Sequence, residues 1–179
     1  SGQTHQIRKN DGVLFFNFRP DRAREIASII AEKAVSLHLS FVTMTQYDKT
    51  IQAAVLFPPE AIKTTIADEV AKAGLRQVHI AETEKYAHVT YFLNGGREEK
   101  HHGEEFILIE SRKDVPTHDR APEMRAKEIA DATVQKITEG FDFLAVNLAN
   151  ADMVGHTGIM EAAVLAIKAE DEAIGRMAD

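Results

Sequence analysis

The sequence predicts an α/β fold with a largely parallel sheet flanked by helices. Short apolar runs of strand character alternate with longer segments whose apolar residues recur at helical spacing. The alternation persists along the whole chain, as expected for strands joined by crossover helices. At 179 residues and 44% hydrophobic composition, the chain can bury a real core in one domain or two small ones.

The elements follow in order. Val13 to Phe18 is aromatic-rich and apolar and reads as a buried strand. Pro20 stands where a helix begins, at its first position, and Ile26, Ile29, Ile30 and Ala34 give that helix an apolar face. Leu39 to Val42 and Ile51 to Phe57 read as further strands. Pro58-Pro59 stops the second of these and is the best boundary between domains, because proline cannot donate to a ladder. Ile62, Ile66, Val70 and Ala73 return to helical spacing, stopped by Gly74. Gln77 to Ala81 is a strand, Glu84 to Leu93 a helix ended by Asn94-Gly95-Gly96, and Arg97 to Gly103 a polar, mobile loop. Phe106 to Ile109 is the next strand. Pro122 opens a helix with the face Ala126, Ile129, Ala130, Val134 and Ile137, closed by Gly140. Phe141 to Leu148 is the last strand and Gly158 to Met177 the last helix. No internal repeat or low-complexity segment interrupts the pattern.

Composition narrows the function. The net charge of −7 argues against a general nucleic-acid binder, though not against a local basic pocket for a small anion. With no cysteine, a disulfide scaffold and a cysteine–metal site are excluded, which fits a cytoplasmic protein. No apolar stretch has the length to span a bilayer, and Ser1-Gly2-Gln3-Thr4-His5 is too polar for a signal peptide. Ala173 to Asp179 reads as helix without a stop signal, so the expectation is an internal piece of a longer protein.

Reactive groups in α/β sheets gather just past the carboxyl ends of strands. Arg19-Pro20-Asp21-Arg22-Ala23-Arg24 follows such an end. Arg19 and Arg22 flank a helix N-terminus, whose own positive partial charge disfavours them unless an anion is present. A phosphate or carboxylate would relieve the conflict through bidentate guanidinium contacts. Plain pairing with Asp21 or Glu25 is the alternative, and spacing leaves both open. Asn147 to Gly158 is the second such stretch. There Asp152 and His156 stand four apart, a carboxylate and an imidazole suited to a divalent transition metal. Two ligands are too few for a site, and spacing alone favours a turn cap and a surface histidine. Lys85, just past a strand end, reads on sequence alone as an ordinary solvated lysine. His101-His102 reads as a solvated pair.

Taken together, these stretches resemble the cofactor-independent phosphoglycerate mutases. Phe15 to Ala23 resembles that family's arginine motif, and Ala81-Glu82-Thr83-Glu84-Lys85-Tyr86-Ala87-His88-Val89-Thr90 its lysine motif. Phe92 to Gly96, Val115-Pro116-Thr117 and Pro122-Glu123-Met124 match further landmarks in the family's order. Asn150 to Gly158 resembles one of its metal motifs. The resemblance implies interconversion of 3-phosphoglycerate and 2-phosphoglycerate in glycolysis and gluconeogenesis, through a phosphoserine and two manganese ions. It implies that Arg19 and Arg22 hold the substrate's phosphate or carboxylate. It also implies that Lys85 lies near the transferring phosphoryl group and that Asp152 and His156 ligate one manganese.

On the same resemblance, residues 1–58 belong to a substrate-binding phosphotransferase domain and residues 59–179 to an alkaline-phosphatase-like metal domain. The intact enzyme would be a cytoplasmic monomer acting on a small molecule, with no nucleic-acid or membrane partner. The family's N-terminal metal aspartate, its serine nucleophile segment and its downstream Ala-Asp-His-Gly-Asn motif are missing from the 179 residues, so the chain alone is expected to be inactive. The alternatives are another alkaline-phosphatase-superfamily phosphomutase or hydrolase, and a non-catalytic phosphometabolite-binding module.

Overall fold

The structure, a computed structural model, describes residues 6–178, so the polar Ser1 to His5 segment lies outside the described residues. The chain divides into two compact units, Ser1–Ala61 and Ile62–Asp179, just past Pro58-Pro59. Both are α/β with parallel sheets. No described helix is long and apolar enough to cross a membrane.

The first unit holds strands β1 (Gly12–Phe15), β2 (Ser40–Thr45) and β3 (Ala54–Phe57) in the order β1-β2-β3, with helix α1 (Pro20–Leu37) crossing from β1 to β2. Pro20 starts the helix as expected. The buried face differs from the expected one. Ala23 and Ala27 are buried, with Ile30, Ala31 and Ala34 packed beside them against Phe41 and Tyr47, while Ile26 and Ile29 are exposed. Alanines let the helix axis approach the sheet, and the larger isoleucines fall on the outer side. β1 ends at Phe15 rather than Phe18. Beyond it the Tyr47 hydroxyl donates to the carbonyls of Phe15 and Asn17, and the Asn17 side chain accepts from the Arg19 N–H at 3.0 Å. Those bonds turn the backbone out of the ladder.

The second unit carries β4 (Gln77–Glu82), β5 (Glu104–Ile109) and β6 (Phe143–Asn147) in the order β5-β4-β6, all parallel. β4 is central and every residue of it is buried, including the polar Gln77, His79 and Glu82. Helix α2 (Ile66–Lys72) is shorter than expected. It starts at a capping box in which Thr65 and Asp68 satisfy each other's backbone N–H groups. Gly74, at φ 72°, follows its end as expected. Helix α3 (Ala126–Thr138) joins β5 to β6, and its alanines Ala126 and Ala130 pack on Ala173 of α5 (Met160–Ala178).

Two segments depart from the expected helices. The Glu84 to Leu93 helix is instead a 3-10 turn (Thr83–Lys85) leading into a π-helical turn (His88–Phe92). The segment after Leu148, expected to be a loop, forms the short helix α4 (Asn150–Gly155). Six residues containing a glycine carry too little periodicity to announce a helix.

Candidate functional site

β4 and β6 are register neighbours, with Ala81 opposite Asn147, so their carboxyl ends open side by side. Lys85 stands on the turn after β4, and Asp152 in the first turn of α4 after β6. The Lys85 ammonium donates to Asp152 Oδ2. One helical turn on, His156 Nε2 lies 3.4 Å from Asp152 Oδ1. Three residues expected to act at one site thus converge from two strand ends. Lys85 is largely buried at 15% side-chain exposure, whereas Asp152 and His156 are open to solvent at 52% and 75%. The hydrogen bond from Lys85, reinforced by the charges of Lys85, His156 and His88, holds the Asp152 carboxyl below its ordinary range. α4 is anchored from outside by Glu170, whose carboxylate accepts the Ala151 N–H at 2.8 Å.

Lys85 is therefore not the free lysine that the bland reading supposes. Its alkyl stem is buried and its charge is committed to a carboxylate from another segment. Asp152 and His156 form a carboxylate–imidazole pair of the kind that binds divalent ions, and one carboxylate oxygen already receives a cationic group. Among the described residues no cluster of three or more histidines and carboxylates forms, so the pair fits as part of a ligand set rather than as a whole one.

Beneath the pair lies a buried polar layer that sequence reasoning missed. Glu82, the last residue of β4, and Asn150, the first of α4, are both fully buried. Glu82 Oε2 accepts the Arg125 N–H at 3.2 Å, and Asn150 Nδ2 donates to the Pro122 carbonyl at 2.8 Å. These bonds keep residues 122–125 out of α3, and Met124 there adopts φ 43°. The helix accordingly starts at Ala126 rather than Pro122. Burial pushes the Glu82 carboxyl above its ordinary value. The available signal was positional: a carboxylate ending a strand three residues before Lys85, and an asparagine two before Asp152.

In the first unit, Arg19 sits at the N-cap of α1 and Arg22 in its first turn. Arg19 pairs with Asp21 at 3.1 Å on a side chain 82% exposed. Arg22 makes no ion pair among the described residues and is exposed. Its backbone N–H, with the charges of both arginines, holds Asp21 below its ordinary value. Arg24 turns back onto the Asp21 carbonyl at 3.0 Å. The described arrangement thus includes the local pairing of Arg19 and leaves the Arg22 guanidinium available to an anion.

Two further expectations change. His101 is not solvated: its N–H donates to Glu104 at 2.7 Å, and its ring lies 3.7 Å from Asp68. Arg97 is tied to Asp68 and to the Asn94 carbonyl, which fastens the segment read as a mobile loop. A cleft of about 570 Å³ elsewhere in the second unit is lined by Arg112, Arg125 and Arg176. Each of these arginines is already paired, with Asp114 and Glu123, with Glu128, and with Asp131. Its three arginines are thus committed to carboxylates.

A parallel α/β unit with a carboxylate and an imidazole at a strand end can supply part of a metal site, and the family comparison agrees with a metalloenzyme. The metalloenzyme superfamily model matches residues 5–179, and the chain belongs to that superfamily. Within it, the chain is similar to 2,3-bisphosphoglycerate-independent phosphoglycerate mutases. It is 48% identical over 184 residues to that of Clostridium beijerinckii, covering 98% of this chain and 36% of that protein. It is 46% identical over 179 residues to that of Moorella thermoacetica, covering 96% and 34%. Among solved structures, phosphoglycerate mutase of Leishmania mexicana, crystallised at low cobalt concentration, superposes with a TM-score of 0.68 at 28% identity, covering 96% of this chain and 33% of that one. The chain spans about a third of the length of the relatives it matches.

Proposed function

We propose that this chain contributes part of the active site of an enzyme interconverting 3-phosphoglycerate and 2-phosphoglycerate through a phosphoserine intermediate, in cytoplasmic glycolysis and gluconeogenesis. The observation that carries the reading is the convergence of Lys85, Asp152 and His156 at the adjoining ends of β4 and β6. The similarity to mutases along nearly the whole chain supports it.

In this reading residues 59–179 belong to the metal-binding domain and residues 1–58 to the substrate domain. Asp152 and His156 would hold one of two divalent ions, taken to be manganese, with the remaining ligands supplied by other parts of the longer enzyme. A bound divalent ion supplies neutralisation of charge on phosphoryl oxygens. Lys85 orients the Asp152 carboxylate and presents a fixed ammonium to the same space, where it can stabilise a transferring phosphoryl group without reorganising. Arg19 and Arg22 hold the phosphate or carboxylate of the substrate by charge-assisted bonds. Substrate is a small molecule, and the intact enzyme works as a monomer.

The test is a coupled assay with 3-phosphoglycerate and manganese. The 179-residue chain alone should show no turnover, because nucleophile, base and metals act as a unit. In the full-length parent, Lys85→Ala should lower kcat by about a hundredfold or more, as for removal of one preorganised charge donor. Full turnover in that variant would refute the assignment of Lys85. Hydrolysis of a phosphate ester without isomer formation would instead favour a phosphatase of the same superfamily.

A further inference from the structure

The pairing of Lys85 with Asp152 poses a geometric problem. Ladder contact between β4 and β6 ends at Ala81 and Asn147, and both charged residues lie beyond it, on separate segments with no direct backbone bond between them. A salt bridge at hydrogen-bond distance needs something else to hold the two segments in register.

The Pro122–Arg125 turn meets that need. Glu82, three residues before Lys85, grips its Arg125 N–H; Asn150, two residues before Asp152, grips its Pro122 carbonyl. Both gripping side chains are fully buried, and Ala121, Met124 and Ala126 of the turn region are buried with them. Met124 packs on Ala149 and Val154, at either end of α4. It holds φ 43°, a left-handed conformation that a methionine rarely keeps unless its surroundings enforce it. The second oxygen of each gripping residue, Glu82 Oε1 and Asn150 Oδ1, is buried without a partner.

We propose that Glu82 and Asn150 are positioning residues: by clamping the Pro122–Arg125 turn from both sides, they set Lys85 and Asp152 against each other across the carboxyl edge of the sheet. The inference rests on the reading of Lys85 and Asp152 as site residues. It also gives a task to the Pro122-Glu123-Met124 landmark, whose carboxylate is committed to Arg112.

Two measurements test it separately from that reading. In the isotope-labelled chain, the Lys85 ammonium resonance should be visible and slowly exchanging while the pair is intact. It should be lost in Glu82→Ala and in Asn150→Ala, and kept in Glu82→Gln, which retains an acceptor for the Arg125 N–H. A Lys85 signal unchanged in both alanine variants, with Lys85→Ala confirming its assignment, would overturn the clamp. In the full-length enzyme each alanine substitution should lower kcat/KM by about ten- to a hundredfold, as ångström-scale misplacement of a catalytic group does. The double variant should be little worse than the worse single one, because both act through one turn. On a Lys85→Ala background, Glu82→Ala should cost no further turnover, although thermal stability still falls; a full additional loss there would also overturn the proposal. Normal turnover in Lys85→Ala would instead reject the site reading, leaving the ammonium measurement to judge the clamp.

Discussion

The two ends of the second unit's sheet use the same residue types to opposite effect. At the amino edge, where Gln77 and Glu104 begin β4 and β5 in register, the polar side chains turn toward one another. His79 contacts the Val89 carbonyl at 2.6 Å, Gln77 Oε1 at 3.3 Å and Glu104 Oε1 at 3.4 Å. Glu104 in turn accepts from Asn94 at 3.0 Å and from the His101 N–H at 2.7 Å. At the carboxyl edge Asp152 and His156 reach the surface beside the largely buried Lys85, and the buried oxygens of Glu82, Ser111, Asn147 and Asn150 are left without partners. A histidine beside a carboxylate therefore says little by itself. Burial separates the two edges: the amino-edge histidine and carboxylate meet inside the sheet, where Asn94 Oδ1 and His101 Nε2 are also left without partners, whereas Asp152 and His156 at the carboxyl edge are open to solvent.

The comparison can be broken most directly with histidines. His156→Ala in the full-length enzyme should abolish activity and weaken manganese binding while leaving the fold intact, since a solvent-exposed histidine contributes little packing. His79→Ala should do the reverse in kind, reducing stability without a selective effect on manganese affinity. Manganese titration and unfolding of both variants check this. Normal manganese affinity and turnover in the His156 variant would show that the metal motif is misassigned.

Glu104→Ala is the next largest expected effect. It removes the acceptor for Asn94 and for the His101 N–H, both deeply placed, and strips His79 of its carboxylate neighbour. Leaving buried hydrogen-bond donors without their acceptor costs about 1–3 kcal/mol for each group. Denaturant titration should show the loss, and an effect within error would mean the amino-edge network is not a stability element.

The sequence made some of this contrast legible and hid the rest for physical reasons. Strand and helix order could be read because Phe106 to Ile109 and Phe143 to Val146 are apolar, and because glycines and prolines break the chain between helical repeats. Lys85, Asp152 and His156 could be named as site residues through the resemblance of the motifs around them, since spacing alone favoured a solvated lysine, a turn cap and a surface histidine. Their meeting could not be read, since Lys85 and Asp152 lie far apart in the chain and approach only through the β4–β6 pairing. His79 lies in the strand read as Gln77 to Ala81 and Glu82 just past it, and neither position hints that these polar side chains are fully buried. Nor could the extended face of α1 be chosen correctly, because isoleucine and alanine periodicities overlap there and packing distance decided between them.

The first unit sharpens the contrast at a smaller scale. Arg19→Ala in the full-length enzyme should cost about 2–4 kcal/mol in kcat/KM, the loss of one charge-assisted contact to an anion. Arg24→Ala should cost far less, because its guanidinium is turned back onto the Asp21 carbonyl. Small, equal effects on kinetics would show that the anion seat lies elsewhere and that Arg19 serves only its pair with Asp21.

The smallest effect concerns pH and belongs to the amino edge. Burial pushes the His79 imidazole below its ordinary value, and the charge of Glu104 only partly opposes this. The folded state therefore binds a proton at His79 less readily than the unfolded chain does. Stability contributed by neutral His79 is complete above about pH 6.5, the unfolded value, and is lost as pH falls from there toward the folded value. One proton limits the slope to about 1.4 kcal/mol per pH unit. Asp68, held far below its usual range by the Arg97 hydrogen bond, contributes in the other window: its stabilisation is present above about pH 4 and is lost only on stronger acidification. In the interval from pH 6.5 to 5 Glu82, whose carboxyl is raised by burial, acts in the opposite direction, so the His79 share is the difference between the native chain and a variant lacking that imidazole. Unfolding free energies measured across it should fall more steeply with acidity in the native chain than in His79→Gln, which keeps hydrogen-bonding capacity but cannot titrate. A slope unchanged by that substitution would mean that His79 is not the group whose burial in neutral form makes the sheet acid-sensitive.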